Sequence, residues 1–246
     1  MNLSQDALRE LELWPLWQSR SASSIPPPSA TMSSTTLEPA ASLPIAPDQT
    51  QERPPGLASG DWQALKDQVA KCTICGLCKQ RKQAVFGVGN ESAPWLFVGE
   101  GPGAEEDAIG EPFVGQAGKL LDAMMAAIQI KRGREVYIAN VVKCRPPGNR
   151  TPTLAEAAAC APYLDRQIDL ISPKLIVALG KTAATRLLGE EKSLASMRGK
   201  LHSYRDYPLL ITYHPAYLLR NLTDKAKAWE DMVLARQTMF DLLKKG

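Results

Sequence analysis

Four short apolar runs, at residues 95–98, 136–142, 175–179 and 209–213, constrain the fold more than any other feature of the chain. Each is too short for a buried helix and lacks the alternation of a half-buried strand, so each reads as a strand covered on both faces. Segments with helical patterning separate or follow them, at 62–71, 117–128, 154–171, 182–188 and 226–243. Alternation of this kind requires parallel pairing with helices on both sides. The expected fold is therefore α/β, a three-layer α/β/α arrangement around a central four-stranded parallel sheet. Ligands are expected at the carboxyl ends of its strands, where a Gly-rich loop at 99–103, Asn140 and His214 all fall.

Residues 21–60 are of another kind. Ser, Pro, Ala and Thr dominate them, and apolar side chains are too few to offset the entropy of ordering. They read as a disordered linker between residues 1–20 and a folded domain at 61–246. Within residues 1–20, Leu8, Leu11 and Trp14 recur at helical spacing, with Ser4 as cap and Pro15 as stop. This is the pattern of a tethered docking helix, or of a helix packed back on the domain. The first 20 residues lack the basic start and apolar run of an export signal, and no stretch nears the roughly 18 apolar residues of a membrane span. A cytoplasmic chain without membrane association is expected.

Charge is divided unevenly. The first 60 residues carry three basic and six acidic side chains, leaving 26 basic and 20 acidic in the remainder. A folded part with a net charge of +6 favours a polyanionic partner such as nucleic acid, although many enzymes carry such an excess.

Five cysteines in a chain without an export signal argue for reduced thiols bound to metal, against a disulfide framework. Lys71-Cys-Thr-Ile-Cys-Gly-Leu-Cys78 holds two overlapping C-x-x-C pairs. Cys144 follows a strand, and Cys160 lies in the helix begun near Thr151-Pro-Thr153. Four thiolates from three separate elements suit a 4Fe-4S cluster and would also suit tetrahedral zinc. By spacing alone, Cys72, Cys75 and Cys78 are all candidate ligands.

The loop Gly99-Glu-Gly-Pro-Gly103 matches neither a Walker loop nor a dinucleotide fingerprint. Three glycines and a proline at a strand end still bring backbone amides close to something planar or anionic. Just beyond, Phe113 stands in a Gly-rich stretch, as a stacking platform or an ordinary core ring. Asn140 lies inside an apolar run, where its carboxamide needs partners or costs about 1–3 kcal/mol. His214 opens His-Pro-Ala-Tyr-Leu-Leu-Arg220, in which Tyr217, Leu218 and Arg220 have the makings of a DNA wedge with phosphate contacts.

Four blocks, Gly99-Glu-Gly-Pro-Gly-Ala-Glu-Glu-Asp107, Gly110-Glu-Pro-Phe-Val-Gly-Gln-Ala-Gly-Lys-Leu-Leu121, Tyr137-Ile-Ala-Asn-Val-Val-Lys-Cys-Arg-Pro-Pro-Gly-Asn-Arg150 and His214-Pro-Ala-Tyr-Leu-Leu-Arg220, occur in that order. They resemble the motif blocks of family 4 uracil-DNA glycosylases, the iron-sulfur branch of that superfamily. The likeness spans about residues 61–243.

The resemblance implies a uracil-DNA glycosylase fold and a monofunctional DNA-repair enzyme that hydrolyses uracil from single- or double-stranded DNA. It implies a monomer acting in the cytoplasm on nucleoid DNA. The cluster ligands would be Cys72, Cys75, Cys144 and Cys160, leaving Cys78 spare. Phe113 would stack on uracil, Asn140 would read its polar edge, and His214 would donate to its O2. Glu106 would lie near uracil C5 and exclude thymine, Glu100 and Gly101 would line the site, and Leu218 would fill the gap left by the flipped nucleotide. The best-known branch of the superfamily carries an Asp at the position of Gly101, where it handles the water, so that task falls to Glu100, Glu106 or Asn140. The loop lacks the Arg-rich insertion of covalently uracil-trapping relatives and reads G-E-G-P-G where they read G-E-Q-P-G; turnover is expected. The competing class is a non-catalytic iron-sulfur DNA-binding or polymerase-associated module, against which Phe113, Asn140 and His214 together weigh. An electron-transfer protein lacks support, since no flavin or nicotinamide motif is present. Leu8-Arg-Glu-Leu-Glu-Leu-Trp-Pro-Leu-Trp17 resembles the segment by which the psi subunit of the bacterial clamp loader holds its chi partner, which implies a replication-protein partner for residues 1–20.

Overall fold

The computed structural model describes residues 61–245, so the docking helix and linker expected over residues 1–60 lie outside the described residues. Asp61 accepts the Ala64 amide at 2.9 Å and so caps helix α1 (Trp62–Lys71), which buries Leu65 and Val69. Strands β1 (Val88–Gly89) and β2 (Trp95–Gly99) lead to α2 (Ala104–Ile109) and α3 (Gln116–Ala127). Strand β3 (Val136–Asn140) precedes α4 (Leu154–Ile171), whose capping box joins Thr153 to Glu156. Then follow β4 (Leu175–Leu179), α5 (Lys181–Leu188), α6 (Leu194–Met197), β5 (His202–Tyr204), β6 (Tyr207–Thr212), α7 (Pro215–Leu218) and α8 (Lys225–Lys245).

The strands form one sheet in the order β1-β3-β2-β4-β6-β5. Its four central strands are parallel and are the four apolar runs; β1 and β5 are antiparallel additions at the edges. Neither edge strand was legible as a strand. They are two and three residues long, and neither carries an apolar run. The helices α2, α6 and α7 were missed for the same reason, being too short to show a period.

Successive residues of each central strand feed opposite faces of the sheet. Leu96, Val98, Tyr137, Ala139, Ile176 and Ala178 pack with α1, α4 and α5, while Trp95, Phe97, Val136, Ile138, Leu175 and Val177 pack with α3 and α8. The outcome is three layers with a core on each side of the sheet. Strand β3 ends at Asn140, two residues before its apolar run does. Beyond it, the Val141 and Val142 amides still donate to the Gly99 and Glu100 carbonyls at 2.9 and 3.1 Å, so the pairing runs into the Gly-rich loop and fixes it.

Candidate active site and metal centre

The carboxyl ends of the parallel strands open into a cleft of about 490 Å³. Glu100, Gly101, Glu106, Phe113, Asn140, His214, Tyr217 and Arg220 all line it, so the structure gathers these sequence-predicted residues at one place. Gly99 pairs with Asn140 in the ladder, and a Cβ on it would come within 2.6 Å of the Phe113 ring and strike Asn140 Oδ1. Only glycine lets ring and carboxamide close on the same spot. A Cβ on Gly101 would likewise come within 2.7 Å of Val142 Cγ2, so a side chain there requires the valine methyl to shift.

Asn140 is 2% exposed, and its Oδ1 has no hydrogen-bond partner. An orphaned buried acceptor costs about 1–3 kcal/mol, recovered when a ligand N–H reaches it. Phe113 has the left-handed φ of 56°, unusual for a bulky residue. Arg132 holds it there by donating to the Pro112 and Phe113 carbonyls at 2.8 and 2.9 Å, and the ring centroid lies 5.5 Å from that of His214.

His214 caps α7, and its Nδ1 accepts the Ala216 amide at 3.1 Å. With Nδ1 accepting, a neutral ring carries its proton on Nε2, a donor by default. Burial pushes the imidazole down to about 4 and Arg220 pushes the same way, with Glu106 opposing. His214 is thus neutral at physiological pH, and the single-turnover rate should show no inflection near 6.5 between pH 6 and 8. An inflection there that disappears in His214→Ala would contradict this. The same shift works against the fold in acid: from pH 6.5 down to 4 the unfolded chain takes up a proton that the folded one refuses. Stability should therefore fall across that window, by up to about 3 kcal/mol from this residue.

Glu106 is committed to the backbone. One carboxylate oxygen accepts the Gly103 amide at 3.1 Å and the other accepts the Val114 and Gly115 amides at 3.0 and 3.1 Å, lashing the Gly-rich loop to the Phe113 loop. Glu100 receives a hydrogen bond from Thr182 Oγ1, which tethers it at the cleft. Tyr217 stacks on Tyr213, with centroids 5.3 Å apart, and donates to Asp224 at 2.7 Å.

Leu218 requires a correction. It is 1% exposed and packed with Tyr213 and Ala228, and so is closed to DNA in this conformation. In His214-Pro-Ala-Tyr-Leu-Leu-Arg220 two leucines are adjacent, and the one-turn helix α7 turns the first into the core and leaves Leu219 42% exposed. The cleft is also lined by Asn149, Arg150 and Thr151, to which the sequence reading gave no role. The signal was the Pro-Pro-Gly-Asn run ahead of Arg150, which reads as a turn; Gly148 and Asn149 are both left-handed.

The five cysteines line one small cavity under the sheet, beside Arg81, Lys143 and Tyr163. Among the described residues no three or more His, Cys, Asp or Glu side chains converge as a single-ion site. Cys144 and Cys160 are buried, and Cys72, Cys75 and Cys78 are partly exposed. Arg81 Nη1 donates to Cys144 Sγ at 2.9 Å and the Lys143 amide to Cys160 Sγ at 3.3 Å. Burial pushes the Cys160 thiol up to about 12 and raises Cys75 and Cys144, so each binds metal only by surrendering a proton. Four or five sulfurs around one cavity, with two cations and backbone donors facing them, fit a thiolate-bound centre.

A pocket with one orphaned acceptor, one neutral donor and an aromatic wall, at the carboxyl ends of a doubly covered parallel sheet, defines a nucleobase-recognising α/β protein. The chain belongs to the uracil-DNA glycosylase superfamily, whose family model, "Uracil DNA glycosylase superfamily", matches residues 86–234. It is 46% identical to the type-4 uracil-DNA glycosylase of Thermotoga maritima over 167 residues, 67% of this chain and 86% of that protein. It is 41% identical to the type-4 enzyme of Pyrobaculum aerophilum over 182 residues, 71% of this chain and 92% of that one. A third type-4 relative, from Sulfurisphaera tokodaii, is 46% identical over 65% of this chain and 76% of its own.

Proposed function

We propose that this protein hydrolyses the N-glycosidic bond of uracil flipped out of DNA, releasing uracil and leaving an abasic site. The observation that carries the reading is the orphaned Asn140 Oδ1, set in the same pocket as the neutral, donor-bearing His214 and the Phe113 ring. Uracil N3–H donates to Oδ1 and the carboxamide N–H donates to O4. Cytosine presents an acceptor at N3 and is repelled, while Phe113 stacks on the flipped base. As the bond stretches, negative charge collects on uracil, and the His214 Nε2–H faces O2 in a site shielded from water, a contact worth a few kcal/mol in the transition state. With both oxygens of Glu106 occupied by backbone amides, Glu100 is the pocket carboxylate left to orient the attacking water. Leu219 replaces Leu218 as the apolar wedge, and Arg220 and Arg150 meet phosphates. The test is incubation with an oligonucleotide carrying one uracil, then alkaline cleavage: a strand cut at the uracil supports the reading, and intact DNA refutes it.

Cys72, Cys75, Cys144 and Cys160 would hold a 4Fe-4S cluster, whose part would be structural. Anaerobically purified protein should carry about four irons per chain. Cys78→Ala should keep them; stoichiometric zinc without iron would overturn the assignment. The enzyme acts as a monomer on nucleoid DNA in the cytoplasm, and residues 1–20 dock it to a replication protein. Deleting residues 1–59 should leave oligonucleotide excision unchanged and abolish that capture; loss of excision would place the tail in the enzyme proper.

A further inference from the structure

Lys143 is 1% exposed, and no carboxylate pairs with it among the described residues. Its ammonium donates to the Asn140 carbonyl at 2.9 Å and to Gln167 Oε1 at 2.5 Å. Gln167, wholly buried on α4, passes the connection on by donating to the Phe86 carbonyl at 2.9 Å. The main chain of Lys143 is pinned as well: its carbonyl accepts the Val85 amide at 2.8 Å, and its amide donates to Cys160 Sγ. The titratable groups that act on the ammonium are the thiols of Cys160 and Cys144, which line the same small cavity as Lys143.

A buried ammonium is costly to desolvate, so a fold keeps one only where fixed partners repay the cost. Here the neighbours belong to two different sites. One is the last carbonyl of β3, belonging to the residue whose carboxamide lines the base pocket; the others are two thiols of the cysteine site, on the cavity that Lys143 also lines. Among the described residues no amide of the Gly-rich loop donates to this carbonyl, and the lysine takes that place. We propose that Lys143 is a positioning residue, which fixes the orientation of Asn140 against the cysteine site and so makes uracil recognition depend on the integrity of that site. The inference rests on the glycosylase and cluster readings above.

The test is a double-mutant cycle on the full-length, iron-loaded protein. Lys143→Met should retain its iron and lower single-turnover excision of uracil by about 10-fold. In an Asn140→Ala background, Lys143→Met should change the rate by less than about 2-fold, since the group it positions is gone. Equal losses in both backgrounds, or no loss in either, would overturn the positioning role. The second readout is the midpoint potential of the cluster: removal of a neighbouring positive charge should shift it to more negative values, and an unshifted potential would overturn the link to the cysteine site. Should Lys143→Met fail to fold, Lys143→Gln, which keeps a donor without the charge, goes through the same cycle with the same criteria. Wild-type protein that excises uracil but holds no iron would refute the cluster reading, and the rate cycle would still decide the positioning role.

Discussion

His214→Ala should lower single-turnover excision of uracil by about 10²-fold or more while leaving affinity for abasic DNA nearly intact. The split follows from where the charge is. In the ground state uracil O2 is a weak acceptor and the imidazole N–H contributes little; as the glycosidic bond breaks, O2 takes on anionic charge and the same contact strengthens. A donor that matters only in the transition state appears in the rate and not in product binding. In the proposed reaction that donor is the His214 Nε2–H, because the Ala216 amide donates to Nδ1 and burial lowers the imidazole pKa. Replacement by Gln, which retains an N–H donor of shorter reach, should recover part of the rate. Equal losses in rate and in abasic-DNA affinity would instead assign His214 to general binding.

The second large effect is structural. Cys160→Ala should remove the iron and lower the melting temperature by on the order of 10 °C, because binding of the centre is folding free energy and each 1 kcal/mol is worth about 2–4 °C in a domain of this size. Cys160 is 8% exposed on α4, its sulfur accepts the Lys143 amide, and Lys143 holds the Asn140 carbonyl. The damage should therefore reach the base pocket, and residual excision should fall as well. Iron content by chemical assay and calorimetric melting check the claim; a variant that melts like the wild type would show that the cysteines do not hold the domain together.

The central sheet was legible because burial on both faces writes itself into sequence as unbroken apolar runs, such as 175–179. The edge strands were not, because residues such as Val88 and Gly89 are chosen by what they pair with. In the site, Asn140 and His214 stood out as polar residues at the ends of apolar runs, where an unpaired group needs a reason. Two things could not be read that way. The burial of Leu218 depends on the direction in which one helical turn points, which two adjacent leucines do not encode. The occupation of Glu106 by the amides of Gly103, Val114 and Gly115 depends on two loops meeting, and no periodicity reports that. Lys143 was hidden in the same way: nothing in its position between Val142 and Cys144 reports that its side chain is buried.

The most direct test of the account is the amount of free uracil released from excess uracil-containing DNA, measured by chromatography against enzyme concentration. The proposed reaction, in which a neutral His214 donates without attacking and Glu100 orients the water, predicts many equivalents of uracil per enzyme, one abasic site for each, and no release of cytosine or thymine. Release that stops at one equivalent with protein and DNA joined on a denaturing gel, or no release at all, would contradict it.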